Sequence, residues 1–141
     1  MIVPDVNVLV ALFRADHEHH EVVARWWRRT GEAGVSVTAP DLVWTGFVRI
    51  VTSSRVFRVP ATVDEAFGFV KAVTAQPTYV PMGPLPHGMD EFERLCRDGQ
   101  ATGDFVPDAY VAAVARCLGA AVATLDRDFR RFDDLRLAVP S

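Results

Sequence analysis

Four aspartates in this chain have the chemistry and the placement to work as a group. Asp5 follows the short apolar run Ile2-Val3-Pro4, Asp126 follows the small apolar run Ala121 to Thr124, Asp128 stands two residues further on, and Asp108 comes directly after Pro107. Carboxylates that gather in one place repel one another unless a cation neutralises them. A cluster of oxygen donors without cysteine or histidine suits Mg²⁺, with Mn²⁺ as a substitute, better than zinc. Such an ion lowers the pKa of a water and offsets the charge of a phosphate, so the chemistry indicated is phosphodiester hydrolysis. Asn7, two residues after Asp5, is placed to donate a hydrogen bond to a carboxylate or to substrate. Each aspartate also has a purely structural reading: Asp5 as a helix cap, Asp108 as a complement to a helix dipole, Asp126 as a turn residue and Asp128 as a surface charge.

The elements that must carry these residues follow from periodicity and punctuation. Ile2-Val3 reads as a strand, and the later part of Val6 to Phe13 as a buried helix. Asp16 is placed to cap a helix from His17 to about Arg29, with Val22, Val23, Trp26 and Trp27 as its apolar stripe and Gly31 and Gly34 beyond its end. Val35 to Thr38 alternates as a strand, Asp41 to about Ser53 is helical, and Thr62 with Glu65 forms a capping box for a helix to Thr74. Pro77 to Pro86 reads as a loop around a short strand at Tyr79-Val80, followed by a helix from Met89 to Arg97 and a loop from Asp98 to Asp104. Pro107 suits a first helical turn and Gly119 a position past the last one, which bounds a helix at Pro107 to Leu118. Ala121 to Thr124 and Leu135 to Val139 are the last strands. Strands that alternate with helices need crossover connections, hence a mostly parallel sheet between helical layers, where ligands collect at the carboxyl ends of the strands.

Composition narrows the function classes. The chain has 141 residues, half of them hydrophobic, which is enough for one core in one domain spanning residues 1–141. No apolar segment is long enough for a membrane span, and no basic leader precedes Ile2. Cys96 and Cys117 form no C-x-x-C pair, so a reducing cytoplasm is the expected setting. The net charge of -3 carries no general basic character, but the cations are almost all arginine, with Lys71 the only lysine. They cluster at Arg25, Arg28 and Arg29, at Arg49, Arg55 and Arg58, and at Arg127, Arg130 and Arg131. Arginine forks suit phosphate oxygens, and a GC-rich genome would favour the same residue. His17 and Glu21 share a helical face and are weighed as zinc ligands, with a solvated first turn preferred because no further ligands accompany them. Trp26 and Trp27 are read as core or dimer packing rather than as base-stacking platforms.

The run Ile2-Val3-Pro4-Asp5-Val6-Asn7-Val8-Leu9, then Phe47-Val48-Arg49-Ile50-Val51-Thr52, then Asp108-Ala109-Tyr110-Val111-Ala112-Ala113, then Asp126-Arg127-Asp128-Phe129 with Phe132, resembles the PIN-domain ribonucleases. More narrowly it resembles the VapC toxins of bacterial toxin–antitoxin pairs. The resemblance spans essentially the whole chain and keeps the motif order. It implies a three-layer α/β/α PIN-like domain, Mg²⁺-dependent endonucleolytic cleavage of RNA, a homodimer, and inhibition by a cognate VapB antitoxin; a further expectation from charge is that an arginine of the antitoxin's tail enters the acidic site while an apolar helix occupies a groove nearby. By position, Asp5 and Asp108 match the family's metal-binding aspartates, and Asp126 and Asp128 match its C-terminal acidic motif. Many PIN domains also place a glutamate in the helix after the second strand, whereas Leu42 to Phe47 holds no acid and Asp41 is only a displaced candidate. One Mg²⁺ held by Asp5 and Asp108, with Asp104 as an outer contact, is therefore the expected arrangement. Two other readings compete: a degenerate PIN module that binds RNA or a protein partner without cutting, and a phosphatase with Asp5 as nucleophile, which would need a second acid at position 7 and a distal lysine.

Overall fold

A computed structural model describes residues 1–141. Three strands, β1 (Ile2–Pro4), β2 (Ala121–Ala123) and β3 (Leu137–Ala138), form a parallel sheet in the order β1-β2-β3. Single parallel bridges extend it on the other side of β1, from Ile2 to Val37 and from Val37 to Tyr79. Reading across the sheet gives Tyr79, Val37, β1, β2, β3. The chain steps outward from β1 in one direction, then crosses back to build in the other, so the order reverses between β1 and β2. A crevice at the carboxyl ends of these two strands is where open α/β sheets receive ligands. The α/β class expected from the sequence is thus realised, as a three-layer α/β/α arrangement.

Six helices accompany the sheet: α1 (Val6–Phe13), α2 (His20–Glu32), α3 (Asp41–Val51), α4 (Val63–Thr74), α5 (Gly88–Asp98) and α6 (Val106–Cys117). Helix α1 packs on α2 and α3, and α3 on α4, while α5 packs on α6 and α6 lies against β1 and β2. The core unites both helical groups with the sheet through fully buried Val3, Leu9, Phe47, Val114, Val122 and Phe129. Each such side chain contributes on the order of 2 kcal/mol when it leaves water. Strand β2 is built from alanine and valine because α6 approaches it closely, and small residues permit that approach.

Several expected boundaries move, each for a local reason. Helix α2 begins at His20 rather than His17: turns and a bend occupy residues 15–19, His19 stands at the cap position without a side-chain bond, and the Asp16 carboxylate instead faces Arg14, with bonds of 2.8 and 2.6 Å. Its end lies beyond Gly31, and Gly34 supplies the left-handed turn at φ +69°. The Val35 to Thr38 and Tyr79-Val80 segments pair only at Val37 and Tyr79 rather than forming full strands. The Thr62 and Glu65 capping box is present, with side-chain to backbone bonds of 3.1 and 3.0 Å. No helix is long and apolar enough to cross a membrane.

Candidate active site

Asp5 leaves the end of β1 and turns the chain into α1. Its amide donates to the Ala123 carbonyl at 2.8 Å, which fixes it against the neighbouring strand. One carboxylate oxygen, Oδ1, accepts from the Val6 amide at 2.7 Å; Oδ2 accepts from the Asn7 side-chain amide at 2.7 Å and from the Thr124 hydroxyl at 3.0 Å. An ionised carboxylate offers about four acceptor positions, so three are occupied and about one is left for a ligand. Asp5 therefore does cap α1, as its structural reading proposed, and the cap leaves capacity for another role. Burial pushes its pKa up and the hydrogen bonds from Thr124 and Val6 pull it down, with burial the larger influence.

Asn7 and Thr124 hold this arrangement rigid. The Asn7 amide nitrogen also donates to Thr124 Oγ1 at 3.1 Å, and its oxygen accepts from the Leu125 amide at 3.1 Å. Thr124, almost wholly buried, further accepts from the Asp126 amide at 3.0 Å. Its hydroxyl thus donates once and accepts twice, the full capacity of the group. The donor role expected of Asn7 is met, toward a carboxylate. Thr124 escaped sequence reading because its partner lies far away in the chain; the only local sign was a polar residue closing an otherwise apolar strand.

Asp108 comes from the first turn of α6, where Pro107 stands as anticipated. It shares a cavity of about 460 Å³ with Asp5 and Asp104; α3 contributes Thr45, Gly46 and Arg49 to the lining. Free amides at a helix start favour a charged carboxylate. Here burial and the neighbouring charges of Asp5, Asp126 and Asp128 outweigh that preference, and even with Arg131 opposing them the Asp108 pKa is pushed up to about 6. Two acids, each held above the ordinary carboxylate range and facing one cavity, form a site with a deficit of positive charge.

The anticipated convergence of four carboxylates is realised only in part. Asp126 turns back to accept from the Asp128 amide at 2.8 Å, capping a short 3-10 turn from Arg127 to Arg131, and Asp128 is exposed. Neither lines the cavity, although both raise the Asp108 pKa through their charge. Asp41 is exposed at the first residue of α3 and lies outside the lining, so it does not fill the missing acidic position. Asp104 does reach the cavity. No three histidine, cysteine, aspartate or glutamate side chains stand close enough to enclose a metal ion.

Paired carboxylates at the switch point of a parallel sheet define a class of protein, and the sequence places the chain within it. It belongs to the PIN-domain family, whose description matches residues 2–135. Its relatives include ribonuclease VapC31 of Mycobacterium tuberculosis, 44% identical over 136 residues that cover 96% of each chain. Ribonuclease VapC25 of the same organism is 43% identical with the same coverage. Among solved structures, Mycobacterium tuberculosis VapC20, described as a Sarcin-Ricin loop cleaving toxin, matches with a TM-score of 0.68 at 21% identity, covering 96% of this chain and 99% of that one. VapBC2 from Rickettsia felis, bound to a DNA fragment from its promoter, matches with a TM-score of 0.70 at 12% identity over the full length of both chains. These two likenesses establish the fold.

Proposed function

We propose that this chain is the toxin of a type II toxin–antitoxin pair, an endoribonuclease of the bacterial cytoplasm that requires Mg²⁺, or Mn²⁺ in its place. The observation that carries the reading is the shared cavity of Asp5 and Asp108 at the end of β1 and β2. Support also comes from relatives named as ribonucleases at 44% and 43% identity over nearly the whole chain.

The donor set fits the metal. Mg²⁺ keeps several of its waters and is usually bound through one or two carboxylates together with substrate phosphates, rather than in an all-protein cage. Two hard oxygen donors without an enclosing third suit that habit, and both carboxyl groups are held above their ordinary pKa, chiefly by burial and secondarily by neighbouring acids. Asp5 and Asp108 would hold the ion, with Asp104 placed for an outer contact. A cation held there supplies Lewis acidity, lowering the pKa of the attacking water and offsetting charge on the scissile phosphate. Asn7 and Thr124 fix the Asp5 carboxylate so that its remaining acceptor position points one way. Asp126 and Asp128 supply negative potential at the rim, which strengthens cation binding without direct ligation.

A cognate VapB-type antitoxin is the proposed inhibitor. An arginine from its tail would satisfy the same charge deficit in the acidic cavity, by a charge-assisted contact with the aspartates. A homodimer is the proposed assembly. The test is cleavage of a mixed RNA pool by antitoxin-free protein with Mg²⁺, with EDTA, and with Asp5→Asn and Asp108→Asn. Cutting that needs the metal and both aspartates is the expected result. Binding of RNA without cutting by any folded preparation would favour the non-catalytic module, a reading motivated by the absence of an acid on the α3 wall.

A further inference from the structure

The α3 wall of the cavity lacks an acid but carries a cation. Leu42, Thr45, Gly46, Arg49 and Ile50 recur at helical spacing and turn one face of α3 to the cavity. Arg49 is the sole basic residue in that lining, in the company of Asp5, Asp104 and Asp108. Although it lines the same cavity as these carboxylates, Arg49 takes part in none of the ion pairs of the protein and is exposed.

Several other guanidinium groups, including the one whose charge reaches Asp108, are engaged elsewhere. Arg131 stacks over the Phe105 ring at 3.6 Å, Arg14 is bound to Asp16 and to the Val59 carbonyl, and Arg94, Arg97 and Arg116 pair with acids of α5. At the cavity, one guanidinium remains free to meet a ligand. A planar fork of donors matches the oxygens of a phosphate, and a polyanion entering an acidic cavity needs a fixed positive charge beside any bound cation.

We propose that Arg49 is a substrate-binding residue, which grips a backbone phosphate of single-stranded RNA in the cavity and provides, from the α3 wall, positive charge that a second metal ion would otherwise bring. The proposal rests on the nuclease reading above. It accounts for the absence of an acid on that wall: a carboxylate there would neutralise the arginine.

The test measures cleavage by the full chain of a single-stranded RNA oligonucleotide that spans a site cut in the mixed pool or, if nothing is cut, one selected from that pool by binding, together with its binding to the Asp5→Asn variant. Arg49→Ala should lower kcat/KM by about ten- to a hundredfold, the loss of one charged hydrogen-bonded contact. Arg49→Lys should recover part of it, and the melting temperature should stay unchanged. In the Asp5→Asn background, Arg49→Ala should weaken RNA binding and reduce the slope of log affinity against log salt by about 0.7, the value for one single-stranded phosphate contact. Unchanged kinetics, affinity and salt slope would overturn the proposal, as would a defect confined to antitoxin binding. Failure of the native chain to cleave, with the Arg49-dependent loss of affinity and slope intact, would refute the nuclease reading while leaving Arg49 as the phosphate contact.

Discussion

The Thr124 hydroxyl donates to Asp5 Oδ2 at 3.0 Å, joining residues 119 positions apart. This bond orients the carboxylate and opposes the effect of its burial on its charge. Thr124→Val keeps the shape and deletes the hydroxyl, which leaves the Asp126 amide without its acceptor and the carboxylate with one donor fewer. We expect a loss of about 1–3 kcal/mol in urea unfolding, and weaker Mg²⁺ binding in a calorimetric titration. A variant as stable as the native chain would show that the bond is not a strut of the site.

Asp108 gives a pH signature to the metal-free protein. Its pKa rises from an ordinary 3.8 to about 6 in the fold, so the native state holds the proton more tightly than the unfolded chain. The resulting penalty is absent below pH 3.8, grows between that value and about 6, and is complete above it. Asp108→Asn should therefore stabilise the metal-free chain at pH 7.5, by on the order of 1 kcal/mol after solvent screening is allowed for. The gain should vanish near pH 4. Thermal melts at the two pH values check this, and adding Mg²⁺ should raise the native melting temperature more than that of the variant.

Two glycines offer a contrast between site and scaffold. A Cβ on Gly46 would stand 2.9 Å from Cγ2 of Val6, the residue directly after Asp5, whereas one on Gly99 would meet the Phe132 ring at 2.8 Å and the Leu95 carbonyl at 2.9 Å. Valine is stiff, so Gly46→Ala should displace the start of α1. The gain in helix propensity, about 1 kcal/mol, should offset most of the stability cost, while RNA cleavage falls by at least about tenfold. Gly99→Ala has no such effect on the site and should instead lower the melting temperature, since backbone cannot yield as a side chain can.

Arg14 ties the loop between α3 and α4 to the end of α1. It donates to the Val59 carbonyl at 2.8 Å, forks onto Asp16 and stacks over Phe57 at 4.0 Å. Arg14→Lys loses the fork and the planar stack, so it should not behave as a conservative change. Limited proteolysis should show faster cleavage between residues 52 and 62, with little change in the global unfolding midpoint.

What could be read from the sequence were the features whose cause is local. The Thr62 and Glu65 box, Pro107 in the first turn of α6 and the strand-end position of Asp5 depend on residues within a few positions of one another, and each stands where expected. Competition among neighbours was harder to foresee: Asp16, a plausible cap, faces Arg14 instead, and α2 starts one turn later than expected. The role of Thr124 depends on a contact across the sheet, which no local pattern records, whereas Asp126 is turned to a local partner, the Asp128 amide. Arg49 was legible as a cation but not as a member of the acidic cavity, because the turn of α3 that aims it is set by how closely Gly46 lets the helix approach Val6.

The pairing of β1 with β2 also has a consequence in time. Asp5 acquires its bond to the Ala123 carbonyl and its Thr124 contact only after a segment that ends 119 positions further along has been made, and Asp108 can join it only once α6 packs on both strands. Synthesis through β2 and Thr124 must therefore precede assembly of the cavity. Until β2 has been made, a nascent chain holds Asp5 without the Thr124 hydroxyl that orients it and without the strand that forms the other side of the switch point.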